Sequence, residues 1–248
     1  MVSLEVCANS ATSAIAAQAG GAVRVELCNN LHQGGTTPSQ GHIILARKSL
    51  NIQLYTIIRP RSGDFLYTND EFEIMREDIK QSIDLGCDGV VFGILKANGS
   101  IDMKRNEQLL DLARKHGLKA TFHRAFDVCS DPAQALENLI SLGFERVLTS
   151  GGKSSAMEGI SGILKAIRQA NGRISVMPGS GISESNVADL VRFTTATEIH
   201  SSARSLVHSE MLYRNDAIMM GSRYVDEYAT YETDAEIVRR LIARANGL

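Results

Sequence analysis

The chain alternates short β-rich runs with amphipathic helical patterns along its whole length. Eight runs read as strands, and the segments between them carry apolar residues at helical spacing. Glycines end several of these segments just before the next strand, as at Gly21, Gly86 and Gly143, which is typical of a repeated strand–helix unit. The predicted strands are 4–7, 23–28, 53–59, 89–94, 120–124, 146–150, 174–177 and 198–202.

Eight strand–helix units in 248 residues favour a closed α/β barrel. An open doubly wound sheet often carries a nucleotide-binding glycine motif, which is not present here. We therefore predict one (β/α)8 barrel, a TIM barrel, over residues 1–248. An irregular segment of about 203–232 follows the last strand, and we expect it to carry short structure of its own or to contact a partner subunit.

Helix boundaries are predicted where capping residues precede an apolar face. The fifth helix has Asp131 in the capping position, Pro132 at the first helical position and a stop at Gly143. The third, seventh and last helices are predicted to begin near Asn69, Ser183 and Thr233.

Composition narrows the possible functions. Lys and Arg total 26 and Asp and Glu total 28, so the net charge of −2 argues against a nucleic-acid-binding or polybasic membrane-surface protein. No apolar run approaches the roughly 20 residues of a membrane span, and the first residues do not resemble a signal peptide. We expect a cytoplasmic protein whose four cysteines are reduced.

Polar residues collect where the predicted strands end, which is the active face of such a barrel. Glu26 and His123 are candidates for acid–base catalysis, and Arg59 is a candidate for binding an anionic group. The other candidate ligand-binding residues are Glu5, Arg61, Asp64, Arg124, Asp127, Ser150, Gly179, Gly181, His200, Ser201 and Ser202.

Gly179 and Gly181 precede the predicted start of the seventh helix. Backbone N–H groups at such a position can hold an anion, and barrels often bind phosphate after strands 7 and 8. Simple turn geometry explains the same glycines equally well.

Two cysteines end neighbouring predicted strands. Strand alternation places Cys7 with Glu5 and Cys28 with Glu26 on the inner side of the barrel, so the two sulfurs are expected to be close. Two soft thiolates suit Cu(I). Cysteine also packs as a small apolar residue, so a structural role stays open.

Several long and specific motifs are spread over nearly the whole chain. They are 25–28 (VELC), 34–38 (GGTTP), 58–65 (IRPRSGDF), 121–127 (TFHRAFD), 146–150 (RVLTS), 177–181 (MPGSG) and 200–203 (HSSA). The sequence resembles the CutC family, historically called copper homeostasis proteins. The resemblance implies a cytoplasmic TIM barrel, a homo-oligomer that is most often a dimer, and an association with copper tolerance. It further implies Cu(I) binding at Cys7 and Cys28.

Two hypotheses of different class follow. In the first, Cys7 and Cys28 bind Cu(I) in copper homeostasis. In the second, the chain is an enzyme of lyase, isomerase or epimerase type that acts on a small anionic metabolite at the strand ends. The charged residues around the rim favour the second hypothesis, because a copper carrier needs only the two thiols.

Overall fold

The structure is a computed structural model that describes residues 1–215, 217–218 and 226–248. Within these ranges, eight parallel strands form one sheet in the order β7-β6-β5-β4-β3-β2-β1-β8. The end strands β7 and β8 lie side by side, so the sheet is a nearly closed barrel. The strands are β1 (Ser3–Ala8), β2 (Arg24–Leu27), β3 (Gln53–Ile57), β4 (Gly89–Phe92), β5 (Lys119–Phe122), β6 (Arg146–Thr149), β7 (Ser175–Pro178) and β8 (Glu198–Ser201).

Helices alternate with these strands around the outside, which confirms the predicted TIM barrel. They are α1 (Ala11–Ala19), α2 (Gln40–Ser49), α3 (Asn69–Asp84), α4 (Met103–Lys115), α5 (Pro132–Leu142), α6 (Ile160–Ala170), α7 (Val187–Thr194) and α8 (Ala235–Ala245). No helix in the described ranges combines the length and the hydropathy needed to cross a membrane.

Local sequence explains where the helices begin. At α3, Thr68 and Glu71 exchange hydrogen bonds with each other's backbone N–H groups, a capping box that satisfies two free donors. At α5, the Asp131 side chain accepts a hydrogen bond from the Gln134 backbone, as predicted, and Gly143 ends the helix with a φ of 81°.

Two predicted helix starts are wrong by a few residues. The chain makes a turn at 184–186 before α7 begins at Val187, because the Asn186 side chain bonds the Ser183 N–H and the Gly181 carbonyl. Helix α8 begins at Ala235 because the Asp234 side chain caps it, and Thr233 instead ends a strand.

The segment 203–232 carries regular structure at both of its ends. Strands β9 (Arg204–His208) and β10 (Ala229–Thr233) pair as an antiparallel ribbon beyond the barrel. Part of the segment between them lies outside the described residues.

Alternation along the strands separates the apolar core from the barrel interior. Val6, Val25 and Leu27 point outward and pack in an apolar cluster with residues of the helices. Glu5, Arg24 and Glu26 are buried on the other side of the strands, inside the barrel. The fold thus brings ionisable groups to the interior, where each needs a partner.

Candidate functional site

A cavity of about 540 Å³ opens at the carboxyl ends of the barrel strands. This volume falls in the range of about 300–1,000 Å³ that small-molecule sites occupy. The predicted site residues that line it are Cys7, Glu26, Arg59, His123, Arg124, Asp127, Gly181, His200, Ser201 and Ser202. The predicted residues outside this lining are Glu5, Cys28, Arg61, Asp64, Ser150 and Gly179.

The two cysteines at the ends of β1 and β2 lie side by side below this cavity. The Sγ atoms of Cys7 and Cys28 are 3.5 Å apart, and both side chains are buried. The hydrogen bond between the thiols, together with burial, raises the pKa of Cys7 well above its usual range. Two thiolates that share one ion, each about 2.3 Å from it, lie at most about 4.6 Å apart, so the observed distance fits a shared metal ion.

A charge network lies beneath the cysteines. Glu5 on β1 pairs with Arg24 on β2, and Arg24 also donates to Glu198 at 2.6 Å. Arg146 bonds the same Glu198 at 3.0 Å, which links four strands of the barrel. Burial opposes ionisation of Glu5, but Arg24 and a hydrogen bond with His200 overcome it and hold its pKa at about 2. Glu5 is therefore an ionised structural residue rather than a cavity residue.

His200 connects this network to the cavity. Its Nδ1 lies 2.7 Å from a Glu5 oxygen, and its Nε2 lies 3.6 Å from a Glu26 oxygen. Burial lowers the pKa of His200, but the two carboxylates outweigh burial and raise it. Burial raises the pKa of Glu26. One imidazole is thus held between two carboxylates, and the thiol of Cys7 adjoins Glu26.

His123 lines the opposite side of the cavity. Its Nδ1 accepts a hydrogen bond from the Ala125 N–H at 3.2 Å, which begins a 3₁₀ turn (Arg124–Val128). Strand β5 therefore ends at Phe122, two residues before its predicted end at Arg124. Burial and the nearby Arg59 lower the pKa of His123 to about 3. A neutral ring with Nδ1 as the acceptor carries its proton on Nε2, so His123 can donate a hydrogen bond but is a weak base at neutral pH.

The contacts of Arg59 do not favour its predicted role in anion binding, because its guanidinium bonds backbone carbonyls of two loops. Its Nη1 donates to the carbonyls of Gln33 and Gly35, and its Nη2 donates to the carbonyl of Gly63. The guanidinium also stacks on the Phe65 ring, 5.2 Å from the centroid. Arg59 thus ties two loops together through three of its five N–H donors, and its buried Nε has no hydrogen-bond partner among the described residues.

Arg61 and Asp64 lie away from the cavity. Arg61 pairs with Glu71 at 2.5 Å and with Asp64 at 3.1 Å, and it also donates to the carbonyl of Leu66. Asp64 accepts the Leu66 N–H at 3.1 Å. Both residues stabilise the loop before α3, so the structure does not support their predicted role as ligand-binding residues.

Asp127 organises the rim near Arg124. Its carboxylate accepts hydrogen bonds from the Ser150 and Gly152 backbones and from the Arg124 Nε at 2.8 Å. The Arg124 Nη2 donates to the Ser150 hydroxyl at 2.7 Å. Asp127 and Ser150 therefore position Arg124, whose side chain stays 41% exposed and available to a ligand.

The glycines after β7 are explained by close backbone packing and turn geometry, and they do not form the amino end of a helix. A Cβ at Gly179 would lie 2.6 Å from the Leu148 side chain, and Gly181 has a φ of 69°. Because α7 begins only at Val187, the predicted anion site at its amino end is not formed by these residues. Turn geometry accounts for Gly179, while Gly181 still lines the cavity.

The candidate residues predicted from the sequence did not include Arg204, which lines the cavity, or the interior ion pairs that Arg24 and Arg146 form with Glu198. Arg24 shares strand parity with Glu26, and Glu198 shares it with His200. Alternation along each strand could therefore have predicted that the side chains of Arg24 and Glu198 point into the barrel.

Comparisons with known proteins give a consistent result. A model of the CutC family matches residues 2–205. A family protein CutC of Chromobacterium violaceum is 50% identical over 238 residues, covering 96% of each chain. A human protein named copper homeostasis protein cutC homolog is 48% identical, covering 99% of this chain and 89% of its own. A crystal structure assigned as copper homeostasis protein CutC of Streptococcus agalactiae superposes with a TM-score of 0.77 at 38% identity, covering 82% and 99% of the two chains.

Proposed function

The chain belongs to the CutC family, and from the geometry of its cysteine pair we propose that it binds one Cu(I) ion between Cys7 and Cys28. The observation that carries this proposal is the distance of 3.5 Å between the two sulfurs, at the base of an open cavity. Relatives named for copper homeostasis support it.

The donor atoms suit this ion. Cu(I) prefers soft sulfur ligands, and neither cysteine is in a disulfide, so the ion would take the place of the thiol protons. Leu31 and Ile57 line the cavity near the pair and Val91 packs with it, which limits water at the sulfurs. Reduced cysteines are the state maintained in the cytoplasm, where we place the protein.

An anaerobic competition titration against a strong Cu(I) chelator tests the proposal. We expect the wild-type protein to retain one ion and Cys28→Ser to lose it. Cys87→Ser is the matched control, because Cys87 is also buried but belongs to a different apolar cluster. Equal loss of copper from the wild type and Cys28→Ser would refute the proposal.

A second candidate function is binding or conversion of a small anionic metabolite. Its support is the cavity itself, which is lined by His123 and Arg124 after β5 and by Arg204 after β8. The Nε2 of His123 is buried without a hydrogen-bond partner in the described part of the chain. A ligand oxygen that accepted this proton would remove the cost of leaving it unpaired.

Thermal unfolding with added inorganic phosphate or glycerol phosphate tests this second function. A ligand at 100 times its Kd stabilises the native state by about 2.7 kcal/mol. We expect Arg124→Gln to abolish the shift and Arg192→Gln, an exposed arginine on α7, to retain it. Equal shifts in both variants would rule out the cavity as the site.

We also propose that the chain self-associates through the β9–β10 ribbon. Leu206 and Tyr231 face each other across the two strands, and their side chains are 46% and 50% exposed. Adjacent exposed apolar side chains often mark an interface. Sedimentation should show a dimer for the wild type and a monomer for Leu206→Glu, while Leu45→Glu on α2 should leave the dimer intact.

A further inference from the structure

A second set of metal-binding atoms lies beside the cysteine pair. The ligand atoms of Cys7, Glu26 and His200 all lie within 4.8 Å of one another. The residues come from three consecutive strands of the sheet, β8, β1 and β2, and their side chains are buried while lining the cavity. The set combines a thiol, a carboxylate and an imidazole rather than two sulfurs.

A hydrogen bond on the side of the ring away from Glu26 fixes the orientation of His200. Its Nδ1 bonds the ionised carboxylate of Glu5, which Arg24 holds in place. A proton on Nδ1 leaves the lone pair of Nε2 directed toward Glu26. Histidines that bind metals commonly donate their other N–H to a carboxylate in this way, which sets both the tautomer and the ring orientation.

We propose that Cys7, Glu26 and His200 form a site for a divalent cation of the Zn²⁺ type. Zn²⁺ accepts thiolate, imidazole and carboxylate ligands together, whereas Cu(I) favours sulfur. The site shares Cys7 with the proposed Cu(I) site but does not use Cys28. It therefore does not depend on the proposed copper function.

Charge balance favours this occupant. A thiolate at Cys7 and a carboxylate at Glu26 supply two negative charges, and a neutral His200 adds none. A divalent ion makes the buried cluster neutral, which avoids the cost of an unpaired interior charge. The bound ion replaces the protons that the thiol and the imidazole otherwise hold.

The distances require only a small closure. Ligand atoms about 2.0 to 2.3 Å from a tetrahedral ion lie about 3.3 to 3.8 Å apart. The longest edge of the present triangle, at most 4.8 Å, must therefore shorten by at most about 1.0 to 1.5 Å. A rotation of the Glu26 side chain, which lines the cavity beside Cys7 and His200, would supply this movement.

Titration of the chelator-treated protein with Co²⁺, a spectroscopic probe for Zn²⁺ sites, tests the proposal. We expect one equivalent to bind with a thiolate-to-cobalt charge-transfer band, and Zn²⁺ to displace it. Cys7→Ser should abolish the band. Glu26→Gln, which keeps the side-chain shape, and His200→Asn should each weaken Co²⁺ binding at least 100-fold, while circular dichroism reports whether each variant is folded.

Cys28→Ser separates the two metal sites. It should retain the Co²⁺ band while losing Cu(I), and Glu26→Gln should retain Cu(I) while losing Co²⁺. The inference is overturned if the wild type binds no Co²⁺, if Cys28→Ser loses it, or if folded Glu26→Gln binds it unchanged. None of these three results alters the outcome of the Cu(I) titration.

Discussion

Replacing Glu5 with Gln is expected to destabilise the barrel through the charge network beneath the site. The Glu5 side chain is fully buried, and its two oxygens contact Arg24 and His200. Removing one partner of a buried ion pair costs about 3–5 kcal/mol, because the remaining charge stays buried and less well compensated. We expect a loss of this size in the free energy of unfolding.

The lowered pKa of Glu5 expresses the same contacts as a dependence of stability on pH. Its value of about 2 in the folded protein, against the ordinary 4.5, corresponds to about 3 kcal/mol at 1.36 kcal/mol per unit. Because the folded pKa is depressed, this stability is present above pH 4.5 and is lost as the pH falls toward 2.

Urea unfolding measured at several pH values between 7 and 2.5 is the assay. Wild-type stability should fall steeply below pH 4.5, and the fall should be smaller by about 3 kcal/mol in Glu5→Gln. Asp189→Asn is the control, since its pair with Arg192 is exposed and contributes about 0–1 kcal/mol.

A double-mutant cycle that combines Glu5→Gln with Arg24→Met measures the coupling free energy between Glu5 and Arg24. Each single variant should be destabilised by about 3–5 kcal/mol, and the double variant by clearly less than the sum, because no isolated charge remains between them. Strict additivity, or a loss below about 1 kcal/mol for Glu5→Gln, would refute the reasoning.

Two further outcomes can be measured directly. The His123 ring should stay neutral down to a pH of about 3 with its proton on Nε2, and nitrogen NMR chemical shifts should report this state; protonation near pH 6 would contradict the burial argument. Gly89→Ala places a Cβ 2.5 Å from the Tyr55 ring and should cost more than about 1 kcal/mol, whereas Gly41→Ala on α2 should be neutral or stabilising. Equal unfolding midpoints for the two glycine variants would show that the barrel interior accommodates the added methyl.

The barrel could be predicted because its signals are local. Hydrophobic periodicity, glycine stops and capping residues such as Asp131 each lie within one strand–helix unit, and the unit is repeated. The inward direction of Cys7 and Glu26 also followed from alternation along a single strand.

The partners of the interior charges could not be predicted in the same way. Arg24 meets Glu198 and lies near Arg146 only because the barrel closes, and these residues are far apart in sequence. Arg59 was expected at the cavity and is found there, but loop carbonyls take up three of its five N–H donors. Loop conformation decides such contacts, and strand periodicity carries no information about it.

X-ray absorption at the copper edge of the protein loaded with one equivalent of Cu(I) tests the central claim most directly. The proposal predicts that two sulfur atoms coordinate the copper in the wild type and that this two-sulfur coordination is absent in Cys28→Ser. A shell of nitrogen and oxygen atoms that does not change in Cys28→Ser would contradict copper binding between Cys7 and Cys28.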